Sequence, residues 1–186
     1  EGVSREGGQT TAAGAQLALK LAEACCELKA WGQAESALLT TISYHEETHG
    51  CCDRRTVELW LQVATLRMRQ HGKYSQAAAD LQHVVTMLTL LHGSHDERLI
   101  TPCEQLCHAH LMLGQWTQAR AALGRAHGLA AARYGADSPT AMRLAQVVRS
   151  IDEQMPEDAR GDALLSEPDP DADIFTQADG EVAPGA

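Results

Sequence analysis

Three stretches decide the fold: W-G-Q-A-E-S-A-L at residues 31–38, Y-S-Q-A-A-A-D-L at 74–81 and W-T-Q-A-R-A-A-L at 116–123. They stand 43 and 42 residues apart, and each places an aromatic residue first, Gln two later, Ala three later and Leu seven later. Nineteen residues past each aromatic lies a glycine, Gly50, Gly93 or Gly135, preceded by His49, His92 or Tyr134. Offsets of 3, 4, 7 and 11 trace one face of a helix, and Ala at offset 3 lets a second helix approach closely. The glycine predicts a left-handed C-terminal cap.

Working outward, each stretch is preceded by another amphipathic segment: L-A-L-K-L-A-E-A-C-C-E-L, V-E-L-W-L-Q-V-A-T-L and C-E-Q-L-C-H-A-H-L-M-L. In the second and third units it ends in a turn holding Gly72 or Gly114, whereas the first has Lys29 there. The pattern predicts a helix, a tight turn and a second helix, three times over. Helices are expected at about 13–29 and 33–48, 54–70 and 75–91, 97–113 and 117–133. A closing helix at 139–154 is capped by Ser138 with Pro139 in its first turn. The fold class is all-α, and seven aromatic residues in 186 suit closely packed helices better than a sheet.

This pattern resembles the tetratricopeptide repeat (TPR) family, on Trp60, Val63 and Ala64 in one first helix, Cys103, Leu106 and Cys107 in the next, and the aromatic, Ala and Leu positions of the second helices. The long period and the connectors H-G-S-H-D and Y-G-A-D-S-P-T-A look like the kinesin-light-chain variety. The resemblance covers residues 14–155 and implies a short solenoid, with repeats at about 13–50, 54–93 and 97–135 and a capping helix at 139–154. Lys29, an extra residue between Thr65 and Lys73, and Arg149 at a position usually small depart from it.

The resemblance also implies a groove lined by the first helix of each pair. It assigns Gln16, Leu19, Glu23, Cys26 and Glu27 in repeat one, Glu58, Leu61, Thr65, Met68 and Arg69 in repeat two, and Thr101, Glu104, His108, Leu111 and Met112 in repeat three. Apolar side chains among acids, with Arg69 as the one cation, suit a protein or peptide partner carrying apolar and basic side chains. The expectation is a non-enzymatic interaction module, an adaptor or a subunit of a larger complex. A weaker resemblance, over residues 17–100, is to the C-terminal helical region of SET/MYND lysine methyltransferases, whose catalytic and zinc-binding motifs are absent from this chain. An upstream extension carrying those motifs would decide for that alternative.

Two short motifs invite chemistry. H-E-E-T-H at 45–49 matches the H-E-x-x-H zinc-protease pattern, but it occupies the last turns of a second helix and no third ligand follows in C-C-D-R-R-T-V. Cys103 and Cys107 lie one turn apart, at positions the repeat gives to packing, and His110 falls at a core position. There is no G-x-S-x-G elbow and no phosphate-cradling loop. No catalytic residue, metal or cofactor is therefore expected.

The formal charge of −10 is uneven. Residues 156–186 hold nine acids, one arginine and four prolines, so a disordered acidic tail is expected, with Leu164-Leu165 and Ile174-Phe175 as apolar islands. Residues 1–12 are read as a disordered lead. The rest is nearly neutral, which excludes a nucleic-acid role, and no apolar run is long enough for a membrane. Six cysteines in adjacent or i,i+4 positions suit a reducing, cytoplasmic compartment better than a disulfide framework.

Overall fold

The computed structural model describes residues 11–156, apart from residues 52 and 71, together with residue 159. Among them are seven α-helices and no strand: α1 (Ala12–Glu27), α2 (Trp31–His49), α3 (Arg54–Met68), α4 (Tyr74–His92), α5 (Ile100–Met112), α6 (Trp116–Tyr134) and α7 (Pro139–Gln154). A 3₁₀ turn, Glu97–Leu99, leads into α5, where a continuous helix was expected. The expected disordered lead (1–12) and tail (156–186) lie outside the described residues, except for Thr11 and Ala12, which cap and open α1, and for Pro156 and Ala159, the latter packed against the largest core cluster.

The second helices begin on the aromatic itself, two residues earlier than expected in α2, and each runs 19 residues to the residue before the glycine. Gly50, Gly93 and Gly135 then take φ of 90°, 89° and 91° with ψ of 163°, 166° and 149°. That ψ corrects the expected cap: the backbone is extended with positive φ, a region open essentially to glycine alone, so the chain leaves the helix straight into the next segment. Side chains cap α1, α3 and α7. Thr11 accepts from the Gly14 amide at 3.2 Å, Asp53 from Arg55 at 2.9 Å, and Ser138 from Ala141 at 3.2 Å.

The turn from α1 to α2 is a Schellman motif, in which the Ala30 amide donates to the Cys25 carbonyl at 2.8 Å and that of Lys29 to Cys26 at 3.1 Å. The turn from α5 to α6 repeats it with Gln115 on His110 and Gly114 on Leu111. The pivot is left-handed in both, at Lys29 (φ 57°) and at Gly114 (φ 71°).

Each helix packs chiefly against its neighbours in the sequence. Equivalent positions are equally buried: Ala34, Ala77 and Ala119 are completely covered, and Leu38, Leu81 and Leu123 nearly so. The core forms three connected clusters. One ties α1–α3 through Ala22, Cys25, Leu38, Ile42, Leu59 and Val63. A small one joins α3–α5 through Ala64, Ala78, Leu81, Leu106 and Ala109. The largest runs from α3 to α7 and includes Val84, Leu99, Cys103, Leu123, Leu144 and Ile151. Helices two apart also touch, with Arg125 of α6 donating to Thr89 of α4 at 3.2 Å and Arg143 of α7 to Glu104 of α5 at 2.6 Å.

Candidate functional site

The ten side chains with the strongest claim to the groove fall on α1, α3 and α5, and none is fully buried. Glu23, Glu27, Arg69, His108 and Met112 are exposed, while Leu61, Thr65, Met68, Glu104 and Leu111 are half-buried. The apolar members are anchored from beneath. Leu61 and Met68 pack on the cluster containing Leu106 and Ala109 of α5, and Leu111 on the largest cluster. A side chain packed on one face and open on the other loses less freedom when an apolar partner group covers it. Thr65 donates its hydroxyl to the Leu61 carbonyl one turn back along α3 at 2.8 Å.

Charge on this surface is sparser than the sequence suggested. Glu58 pairs with Arg54 along α3, and Glu104 is held by Arg143 of α7. Glu23 and Glu27 make no ion pair among the described residues, and they are the acids left open. Arg143 was missed because 139–154 was treated as a cap; its register, 42 residues past Thr101, would have placed it beside the groove.

The side chains of the short motifs make local contacts. In H-E-E-T-H the Glu46 carboxylate accepts from the Trp60 indole at 3.0 Å, the His45 and His49 rings lie 5.4 Å apart, and Thr48 Oγ1 is 2.6 Å from His49 Nδ1. Burial, then the charges of His49 and Arg55, hold the His45 pKa below its ordinary value. Cys103 and Cys107 are buried as free thiols. Burial raises both pKa values, that of Cys107 to about 11, so neither is a ready thiolate. His110 is half-buried rather than in the core, with Nδ1 2.7 Å from the Gln115 side chain across the turn. Among the described residues no three His, Cys, Asp or Glu side chains are grouped to hold a metal; Cys52 lies outside them.

A second feature was not legible in the sequence: a charged network between α2, α3 and α4. Arg67 gives the fork of its guanidinium to Glu35, Nε at 3.0 Å and Nη2 at 2.9 Å, and its remaining Nη1 to both Asp80 oxygens at 2.8 and 2.7 Å. Lys73 adds a bond to Glu35 at 2.6 Å, and Gln70 a long one at 3.4 Å. Glu35 and Asp80 are buried. Burial opposes ionisation of Glu35, but the bonds from Lys73 and Arg67 outweigh it and lower the pKa. Asp80 has only the single nitrogen, and its burial prevails, so its pKa is raised. Beside the network lies an open depression of about 500 Å³ lined by Gly32, Glu35, Ser36, Leu39, Thr40, Ser43 and Lys73. None of the ten groove residues borders it. Its charges neutralise one another, and the Thr40 and Ser43 hydroxyls are bonded to backbone carbonyls within α2.

Comparison of the sequence with protein-family models and with curated proteins finds no match.

Proposed function

We propose that the chain is a TPR-type array of three helical hairpins and a capping helix. It holds a segment of a protein partner against the surface of α1, α3 and α5 and performs no bond chemistry. The reading is supported by the equivalence of the aligned positions: three aromatic residues opening the second helices, three buried alanines behind them, and three glycines leaving at the same φ. The observation that carries the binding function is the row Leu61, Met68 and Leu111, packed on the core from below and half-open above, continued by exposed Met112, with Glu23 and Glu27 uncommitted at one end. A partner segment with apolar side chains and a Lys or Arg at that end satisfies both.

Among the described residues no helix is long and apolar enough to cross a membrane. Thiols packed as apolar side chains at Cys25, Cys103 and Cys107 favour a reducing, cytoplasmic setting.

The test is affinity purification with mass spectrometry on the full chain, on residues 1–155, and on the full chain carrying Met112→Glu with Glu23→Lys and Glu27→Lys. A partner kept by the first two and lost from the third supports the groove. A partner that follows residues 156–186, or that ignores the three substitutions, overturns it.

A further inference from the structure

We propose that residues 158–166 fold back on α7 as the second helix of a fourth hairpin, seated on the stripe of Met142, Ala145 and Arg149. In α3 the shared register places Val57, Trp60 and Ala64 on that stripe, and in α5 Ile100, Cys103 and Cys107. Five of these six are buried and Trp60 is half-buried, packed among side chains of α4 and α6. In α7 Met142 is 54% exposed, Ala145 half-buried and Arg149 exposed. A first helix presents this stripe to its own second helix, and α7 presents it to the residues that follow.

The chain turns that way after α7. Met155 takes an extended backbone, φ −64° and ψ 128°, with its side chain 3% exposed. Four residues on, Ala159 is helical again, half-buried and packed on the largest cluster, which holds Leu144, Ile151 and Met155. The sequence supplies the rest of the helix. Forty-two residues past Ala119, Ala122 and Leu123 of α6 stand Gly161, Leu164 and Leu165, and the turn at 113–115 becomes 155–157. Glu157 and Asp158 suit the positive end of a helix that starts there, and Pro168 ends it by disfavouring a helical backbone at Glu167.

Pairing about this turn sets Gly161 against Arg149, each six residues from Met155, and Leu165 against Ala145, each ten residues from it. In the preceding hairpin Cys107 and Ala119 share one cluster at the matching place. Glycine there leaves room for the arginine, and Asp158 and Asp162 on either side of it bring carboxylates to a guanidinium that has no ion pair among the described residues. Two departures make this the most weakly held of the four second helices. Pro156 cannot take the left-handed φ of Gly114, and Asp158 replaces the aromatic that opens the other three. The surface of α1, α3 and α5 is untouched by it.

Hydrogen–deuterium exchange on the full chain, resolved along residues 157–186, tests this. The expected result is protection of the amides of 162–166 about tenfold or more above those of 170–186, which serve as the reference within the same chain. Leu165→Asp and Met142→Asp each remove that protection and leave the amides of α4 as slow as in the wild type. Arg149→Glu lowers it as well, and Arg149→Glu with Asp158→Arg and Asp162→Arg restores it. Amides of 162–166 that exchange as fast as those of 170–186 overturn the proposal. So does protection that survives Met142→Asp, which is the mark of a helix standing free of α7, or a charge reversal that fails to rescue.

Discussion

The junction of α2, α3 and α4 and the junction of α4, α5 and α6 share a backbone plan but not a chemistry. Around Ala34 and Ala77 the first is bridged by Glu35, Arg67, Asp80 and Lys73; around Ala119 the second is sealed by Leu123, Ala126, Leu99 and Cys103. In the alignment Glu35 corresponds to Ala78 and Arg120, and Asp80 to Ala37 and Ala122. In the third hairpin Arg120 pairs with Asp152 of α7 at 2.6 Å, but Asp80 is matched by alanine on both sides and Glu35 by Ala78 in the next hairpin, so ions are not required at the second junction. Their effect is to fix orientation: a fork and a single nitrogen on one guanidinium allow one mutual placement of three helices, whereas alanines tolerate sliding. The cost is that the polar joint fails abruptly when one member is lost.

That difference is broken most severely at Arg67. Arg67→Ala leaves two buried carboxylates facing each other and is expected to cost about 3–5 kcal/mol in urea unfolding. The combined change Glu35→Ala, Arg67→Leu and Asp80→Ala, which replaces three of the ions of the first junction by apolar side chains, is expected to fall within ~2 kcal/mol of the wild type or above it. If the triple variant is as unstable as the single one, the network contributes net stability and the comparison fails.

In the apolar junction the corresponding break is Leu123→Ala. Leu123 is 3% exposed, and its truncation leaves a cavity expected to cost about 2–4 kcal/mol, with no dependence on pH or salt. A marked salt dependence of this loss would show that the two junctions are coupled.

A finer distinction lies between the two carboxylates. The Glu35 pKa is lowered in the folded chain, so its contribution is present above the ordinary carboxylate range and is lost as the pH falls through the folded value. The Asp80 pKa is raised, so its ionisation works against folding as the pH rises through the folded value. Glu35→Gln is therefore expected to cost about 1–3 kcal/mol at neutral pH, with the deficit shrinking toward acid, and Asp80→Asn less than ~1 kcal/mol. Equal losses at neutral pH would contradict the unequal division of Arg67.

What was legible in the sequence follows from this contrast. Apolar periodicity repeats, so Trp31, Tyr74 and Trp116 located three second helices, and Ala34, Ala77 and Ala119 located their closest contacts. The positions expected to line a groove fall at exposed or half-buried sites of α1, α3 and α5, because a shared register carries exposure from one helix to the next. The charged network was not legible, since its members lie 32 and 13 residues apart and read singly as ordinary solvated ions, and the one equivalent pair, Arg120 with Asp152, carries the charges reversed.

The smallest expected effect sits at the turn where the two halves are most alike. Lys29 and Gly114 hold the same place in two Schellman motifs, but lysine at φ 57° crowds its Cβ against the backbone, and glycine at φ 71° does not. Lys29→Gly relieves that strain, and it also frees the unfolded chain, which gives part of the gain back. The net expectation is a stabilisation of about 0.5–1 kcal/mol, a few degrees in thermal midpoint. Gly114→Lys is expected to be destabilising by a similar amount, so the pair of substitutions separates the backbone demand of the motif from anything peculiar to the first hairpin. A loss of stability in Lys29→Gly would mean that the lysine side chain does more for α1 than its conformation costs.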